Sequence, residues 1–113
     1  MAQDFERVFK SQVTSSAHTL LTSNSDDALI GIRLTNITTA ALTVSVWIDA
    51  GGAGSTASIV YLAKDLGLPP KASVELIQGG AKINMLSSDV LKAQSSATNS
   101  VAAYISYIDS IST

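Results

Sequence analysis

The side chains of this chain that could do chemistry are few, and their spacing does not suit the chemistry they could do. His18 is the single imidazole and cysteine is absent. A metal site would therefore need carboxylates alone, or His18 together with carboxylates. No such cluster stands at ligand spacing, and His18 reads as a surface residue beside a turn. Asp26-Asp27 lacks the alternating Asx residues and the distal Glu of a calcium loop, so it reads as turn-forming. Gly51-Gly52-Ala53-Gly54 is glycine-rich, as a phosphate cradle is. Neither a Lys-Ser/Thr pair nor a helix follows it, and it reads as a flexible connection. No serine lies in a Gly-x-Ser-x-Gly turn, and a Ser-His-acid constellation would have to use His18 with no motif to support it. Glu6, Glu75 and Asp89 make no recognisable carboxylate pair for sugar hydrolysis. The expectation is a protein that is not an enzyme, with no catalytic residue, cofactor or metal ligand.

Contact chemistry is the alternative to catalytic chemistry. Trp47 falls on the otherwise polar side of an alternating segment, where it either covers the core from a second side or forms part of a contact surface. Phe5, Phe9, Ile108 and Ile111 are apolar residues near the two ends of the chain, and with Trp47 they are the candidate protein-contact residues. Hydrophobic residues make up 46% of the 113 and charged ones only 14%, against about 25% in an average protein. Such a surface can pack against protein without stripping water from many ions. The seven basic residues are scattered among nine acidic ones, with no run to track a phosphate backbone, so nucleic acid is not an expected partner. The charged N-terminal residues do not read as a signal peptide, and no apolar run approaches the ~20 residues of a membrane helix. The chain is expected to be made in the cytoplasm.

The elements that must position these residues are short strands. The segments at residues 28–37 and 41–49 both alternate at period two. In the first, Ile30, Ile32 and Leu34 share one face. In the second, Leu42, Val44, Val46 and Ile48 share a face opposite Thr43, Ser45, Trp47 and Asp49. They are expected to pair with each other and to present one apolar face for the rest of the chain to cover. Phe5, Val8 and Phe9 anchor an opening strand or extended arm over residues 5–13. Further strands are expected at 18–22, 58–63, 72–77, 82–86, 90–94 and 101–109. Residues 64–71, with Gly67 and Pro69-Pro70, read as a connection that could hold one helical turn, and Gly79-Gly80 as a tight turn. The last strand is apolar on both faces, so it lies either between two layers or against another chain. About eight short antiparallel strands in a single domain give a β-sandwich, jelly-roll or immunoglobulin-like, with a small β-barrel as the alternative.

The order of several of these stretches resembles a family of small virion structural proteins of tailed bacteriophages, particularly the contractile-tailed phages of cyanobacteria. The stretches are residues 26–38 (DDALIGIRLTNIT), 42–46 (LTVSV), 61–65 (YLAKD), the turn at Pro69-Pro70, 74–82 (VELIQGGAK), 88–92 (SDVLK) and 104–113 (YISYIDSIST). The resemblance implies a non-enzymatic building block of the virion, present in many copies or as a homo-oligomer. Its partners would be other virion proteins, on the capsid as a decoration or cement subunit, or in the neck or tail. A carbohydrate-recognition module associated with a tail fibre, using Trp47 and a tyrosine as stacking platforms, is the alternative reading.

Overall fold

A computed structural model describes residues 4–77 and 82–109 of the chain. Gly79-Gly80 and Ile111 lie outside those residues. Among the described residues nine strands form: β1 (Asp4–Val13), β2 (His18–Thr22), β3 (Asp27–Asn36), β4 (Leu42–Asp49), β5 (Ile59–Leu68), β6 (Ser73–Glu75), β7 (Ile83–Met85), β8 (Val90–Ser95) and β9 (Val101–Asp109). The only helical pieces among the described residues are two short 3-10 turns, at Ala50–Gly52 and Thr56–Ser58.

The strands make two antiparallel sheets and no closed barrel. One has the order β1-β9-β3-β6, with β7 also on β3, and the other the order β2-β8-β4-β5. The pairing follows one rule: β1 with β9, β2 with β8, β3 with β6 and β7, and β4 with β5. The chain is thus one long hairpin whose tip lies between β4 and β5, rolled so that β9 also reaches β3 and β8 also reaches β4. If β6 and β7 are counted as one broken strand, this is the jelly-roll arrangement.

The expected pairing of residues 28–37 with 41–49 is therefore corrected. β3 and β4 lie inside different sheets, and both send side chains into the shared core. The reason is local. Asn36, fully buried at the end of β3, accepts hydrogen bonds from the Thr38 backbone N–H and hydroxyl at 2.9 and 2.7 Å. Its Nδ2 donates to the carbonyl of Ala40 at 2.8 Å. That side chain satisfies the backbone of the turn and carries the chain across to the second sheet, where a hairpin would have kept it in the first.

Leu29, Ile32, Leu34, Val44, Val46, Met85, Leu91, Val101 and Ile105 fill the space between the sheets at 0–1% exposure. Burying each such side chain contributes roughly 1.5–3 kcal/mol. The phase of β3 departs from simple alternation. A register irregularity between Leu29 and Gly31 leaves Leu29, Ile32 and Leu34 inside and releases Ile30 to the outer surface. β5 is longer than expected: Asp65, at φ 51°, makes a bulge, and the strand runs on through Gly67 to Leu68. Ser45 stabilises the bulge by accepting from the Asp65 N–H at 2.9 Å. At the far end of the sandwich, buried Asp49 accepts from the Gly54 N–H at 2.9 Å and from the Ser58 hydroxyl at 2.6 Å. The connection expected to be flexible at residues 51–54 is tied down there, with Gly54 supplying the φ of 72° that the turn needs.

Candidate functional site

The outer face of the first sheet carries most of the exposed aromatic surface. Along β1 the apolar Val8 turns toward the core, which leaves Phe5, Arg7 and Phe9 on the outside. Phe5 is 80% exposed and Phe9 55%. Register extends this row across the sheet. Phe9 stands opposite Tyr104 of β9, Tyr104 opposite Arg33 of β3, and Arg33 opposite Glu75 of β6. The Phe9 and Tyr104 rings are parallel within 2° at a centroid separation of 6.4 Å, and the Arg7 guanidinium lies 5.1 Å over the Phe9 ring. Beside this row, Arg7 faces Ser106 and Phe5 faces Ile108. Shallow depressions between the rows are lined by Phe5, Glu6, Arg7, Ile30, Tyr104 and Ser106, and by Phe9, Lys10, Arg33, Thr35 and Ala102 among others. The aromatic residues and arginines of this face are types enriched at contact surfaces, while Glu6, Lys10 and Glu75 beside them are not.

Three of the expected contact residues, Phe5, Phe9 and Ile108, are brought onto this one face. Trp47 is not among them. It lies on the outer face of the second sheet, between Tyr61 and Lys92 in register, and is only 6% exposed. The Tyr61 ring covers it at 5.6 Å and 52°, and the Lys64 ammonium caps Tyr61 in turn at 4.8 Å. Trp47 is buried without belonging to the cluster between the sheets. The adjoining hollow, lined by Ser45, Trp47, Tyr61, Asp65 and Gln94, holds about 200 Å³. That is below the ~300 Å³ at which small-molecule sites begin. The outward residues Arg33 and Thr35 on one side, and Thr43 and Trp47 on the other, belong to opposite faces of the molecule and form no common surface.

Arg7 is the member that sequence reasoning did not single out, and Ile30 the one it placed on the core face. The signal for Tyr104 was the double-sided apolarity of residues 101–109. β9 lies between β1 and β3, so its inner residues fill the core while Tyr104 remains 46% exposed outside.

The edges of the two sheets differ. Among the described residues β1 pairs with β9 on one side only, and its register is unbroken from Asp4 to Lys10. β5, the long edge of the other sheet, is kinked by Asp65 and ends at Pro69-Pro70, which discourages strand addition. Near the base of β1, Tyr107 is buried enough that its phenol holds its proton more tightly than usual. The negative charges of Glu6, Asp109 and Asp27 add to that effect. Among the described residues, no group of three or more His, Asp or Glu side chains is placed to hold a metal ion.

No protein-family model matches the chain, and no curated protein matches it. In fold it is similar to a chain of the Bacillus endospore appendages, described as a novel family of disulfide-linked pili. The TM-score is 0.54 at 14% identity, over 98% of this chain and 88% of that one. It is also similar to a chain of an infectious bursal disease virus particle, with TM-score 0.54 at 13% identity over 96% of this chain and 31% of that one. A chain of the Gx strain of that virus gives TM-score 0.52 at 12% identity over 99% and 34%. The chain spans about a third of the length of these two virus chains. What it shares with all three is the sandwich, an architecture used in a virus particle and in a pilus.

Proposed function

We propose that the chain is a non-enzymatic structural subunit of a bacteriophage virion, docking on other particle proteins as a capsid decoration or cement subunit or as a neck or tail component. The observation that carries this reading is the open outer face of the first sheet, where Phe5, Phe9 and Tyr104 stand exposed beside Arg7 and Arg33. Exposed aromatics at this density cost solubility unless a partner covers them. The sandwich shared with chains of a virus particle and of a pilus supports the same reading. With no cysteine in the chain, its contacts are non-covalent apolar burial, aromatic stacking and backbone pairing along β1. The carbohydrate reading loses its main support, because Trp47 lies under Tyr61 and presents no open ring for a sugar to stack on. Quantitative mass spectrometry of purified particles tests the proposal. The chain is expected as a stoichiometric component, and its absence from particles would overturn the reading.

A further inference from the structure

We infer that β1 pairs with β1 of a second copy, antiparallel and centred on Val8, so that the first sheets of two copies join into one. This step rests on the reading of the chain as an assembling subunit for its purpose, but its argument is independent of it. β1 is the long edge without a bulge between Asp4 and Lys10, and among the described residues no strand pairs with its outer side. A long flat edge of this kind is a template for strand addition.

The sequence of β1 selects both the occupant and the register. A two-fold axis perpendicular to the sheet keeps the outer face of one copy continuous with that of the other, so one residue of the strand must face its own counterpart. Centred on Arg7, two guanidiniums would meet, and centred on Glu6, two carboxylates. Like charges directly opposite each other disfavour both arrangements. Centred on Phe9, Glu6 would meet Gln12 and Lys10 would meet Val8, with no ion pair formed. Centred on Val8, Glu6 faces Lys10, Arg7 faces Phe9 and Phe5 faces Ser11, each twice by symmetry. Every charge from Glu6 to Lys10 then finds a complementary group. The Arg7–Phe9 contact already made within one chain is reproduced across the seam. Phe5 and Tyr104 stay on the outer face, free to meet other particle proteins.

Charge reversal on the full chain tests this register. The unaltered protein is expected to sediment as a concentration-dependent dimer. Glu6→Lys or Lys10→Glu alone should weaken self-association about tenfold or more, since each places two like-charge pairs at the seam. The double exchange should restore it. Circular dichroism confirms that each variant is folded. Val8→Cys, in a chain with no other thiol, should oxidise to a covalent dimer. Facing residues in an antiparallel pair lie about 4.5–5.5 Å apart at Cα, within the ~4.4–6.8 Å span of a disulfide. Arg7→Cys, offset from its own copy by two residues, should not. A protein that stays monomeric at ~100 μM, or a dimer indifferent to both single reversals, would overturn the pairing. A dimer with these properties that is missing from purified particles would instead sink the virion role and leave the pairing standing.

Discussion

Replacing Trp47 by alanine separates two aromatic positions that look alike in the sequence. Trp47 is 6% exposed and Phe9 55%, although both sit on outer sheet faces. A tryptophan buried to this degree removes on the order of 150–250 Å² from water. At about 25 cal/mol per Å², that corresponds to roughly 4–6 kcal/mol. The cover is partly mobile, because Tyr61 is itself 46% exposed and can lean into the space left behind. The expected loss is therefore about 3–5 kcal/mol, the usual range for truncating a buried aromatic. Trp47→Phe should lose clearly less. Urea unfolding followed by circular dichroism measures both. Because Trp47 is the only tryptophan, its fluorescence reports this one site. In the intact protein its emission should be blue-shifted and weakly quenched by iodide, and the quenching should rise sharply on unfolding. A loss below ~1 kcal/mol for Trp47→Ala, within the range of an ordinary surface change, would refute the reasoning, as would ready quenching in the native state.

Phe9→Ala should change stability by less than about 1 kcal/mol, because the ring is half in water, yet it should reduce incorporation into particles. Parallel urea titration and particle mass spectrometry check the two halves. Asn36→Ala removes the side chain that serves the Thr38 N–H and the carbonyls of Ala40, Leu68 and Pro69. It should cost roughly 3 kcal/mol in urea unfolding, through buried backbone groups left without partners. Tyr107 binds its proton more tightly folded than unfolded, so its contribution is complete below the ordinary tyrosine value of about 10 and is lost as pH climbs from there through the raised folded value. Tyr107→Phe should therefore show a flatter stability profile above pH ~10, and an equal fall in both proteins would contradict the assignment.

Some of this architecture was legible in the sequence and some was not, for identifiable reasons. The strands at His18–Thr22 and Val101–Asp109 fall where they are expected, because Ser- and Asn-rich turns follow Thr22 and precede Val101. Residues 64–68 were read as a connection because Gly67 and Pro69-Pro70 resemble breakers. A single left-handed Asp65 absorbs the irregularity, and the strand continues. Alternation also misplaced Ile30, since an inserted residue reverses which side chains face the core and leaves the composition unchanged. The partnership of β3 with β4 was the deepest error. Two consecutive strands with one apolar face each fit a hairpin or two facing sheets equally well, and the distant partners that occupy both edges of each strand cannot be read from local alternation. The exposed aromatic face was half visible: Phe5, Phe9 and Ile108 lie on it. Their assembly with Tyr104 and Arg33 depends on cross-strand registers that bring together residues up to a hundred positions apart.

As a proposed building block, this sandwich should have its aromatic sheet face covered in a particle. A reconstruction of the particle that fixes the position and copy number of the chain tests it most directly. The expected result is a symmetric set of copies with Phe5, Phe9 and Tyr104 packed against neighbouring protein. Copies with that face turned to open solvent, or no density for the chain at all, would contradict it.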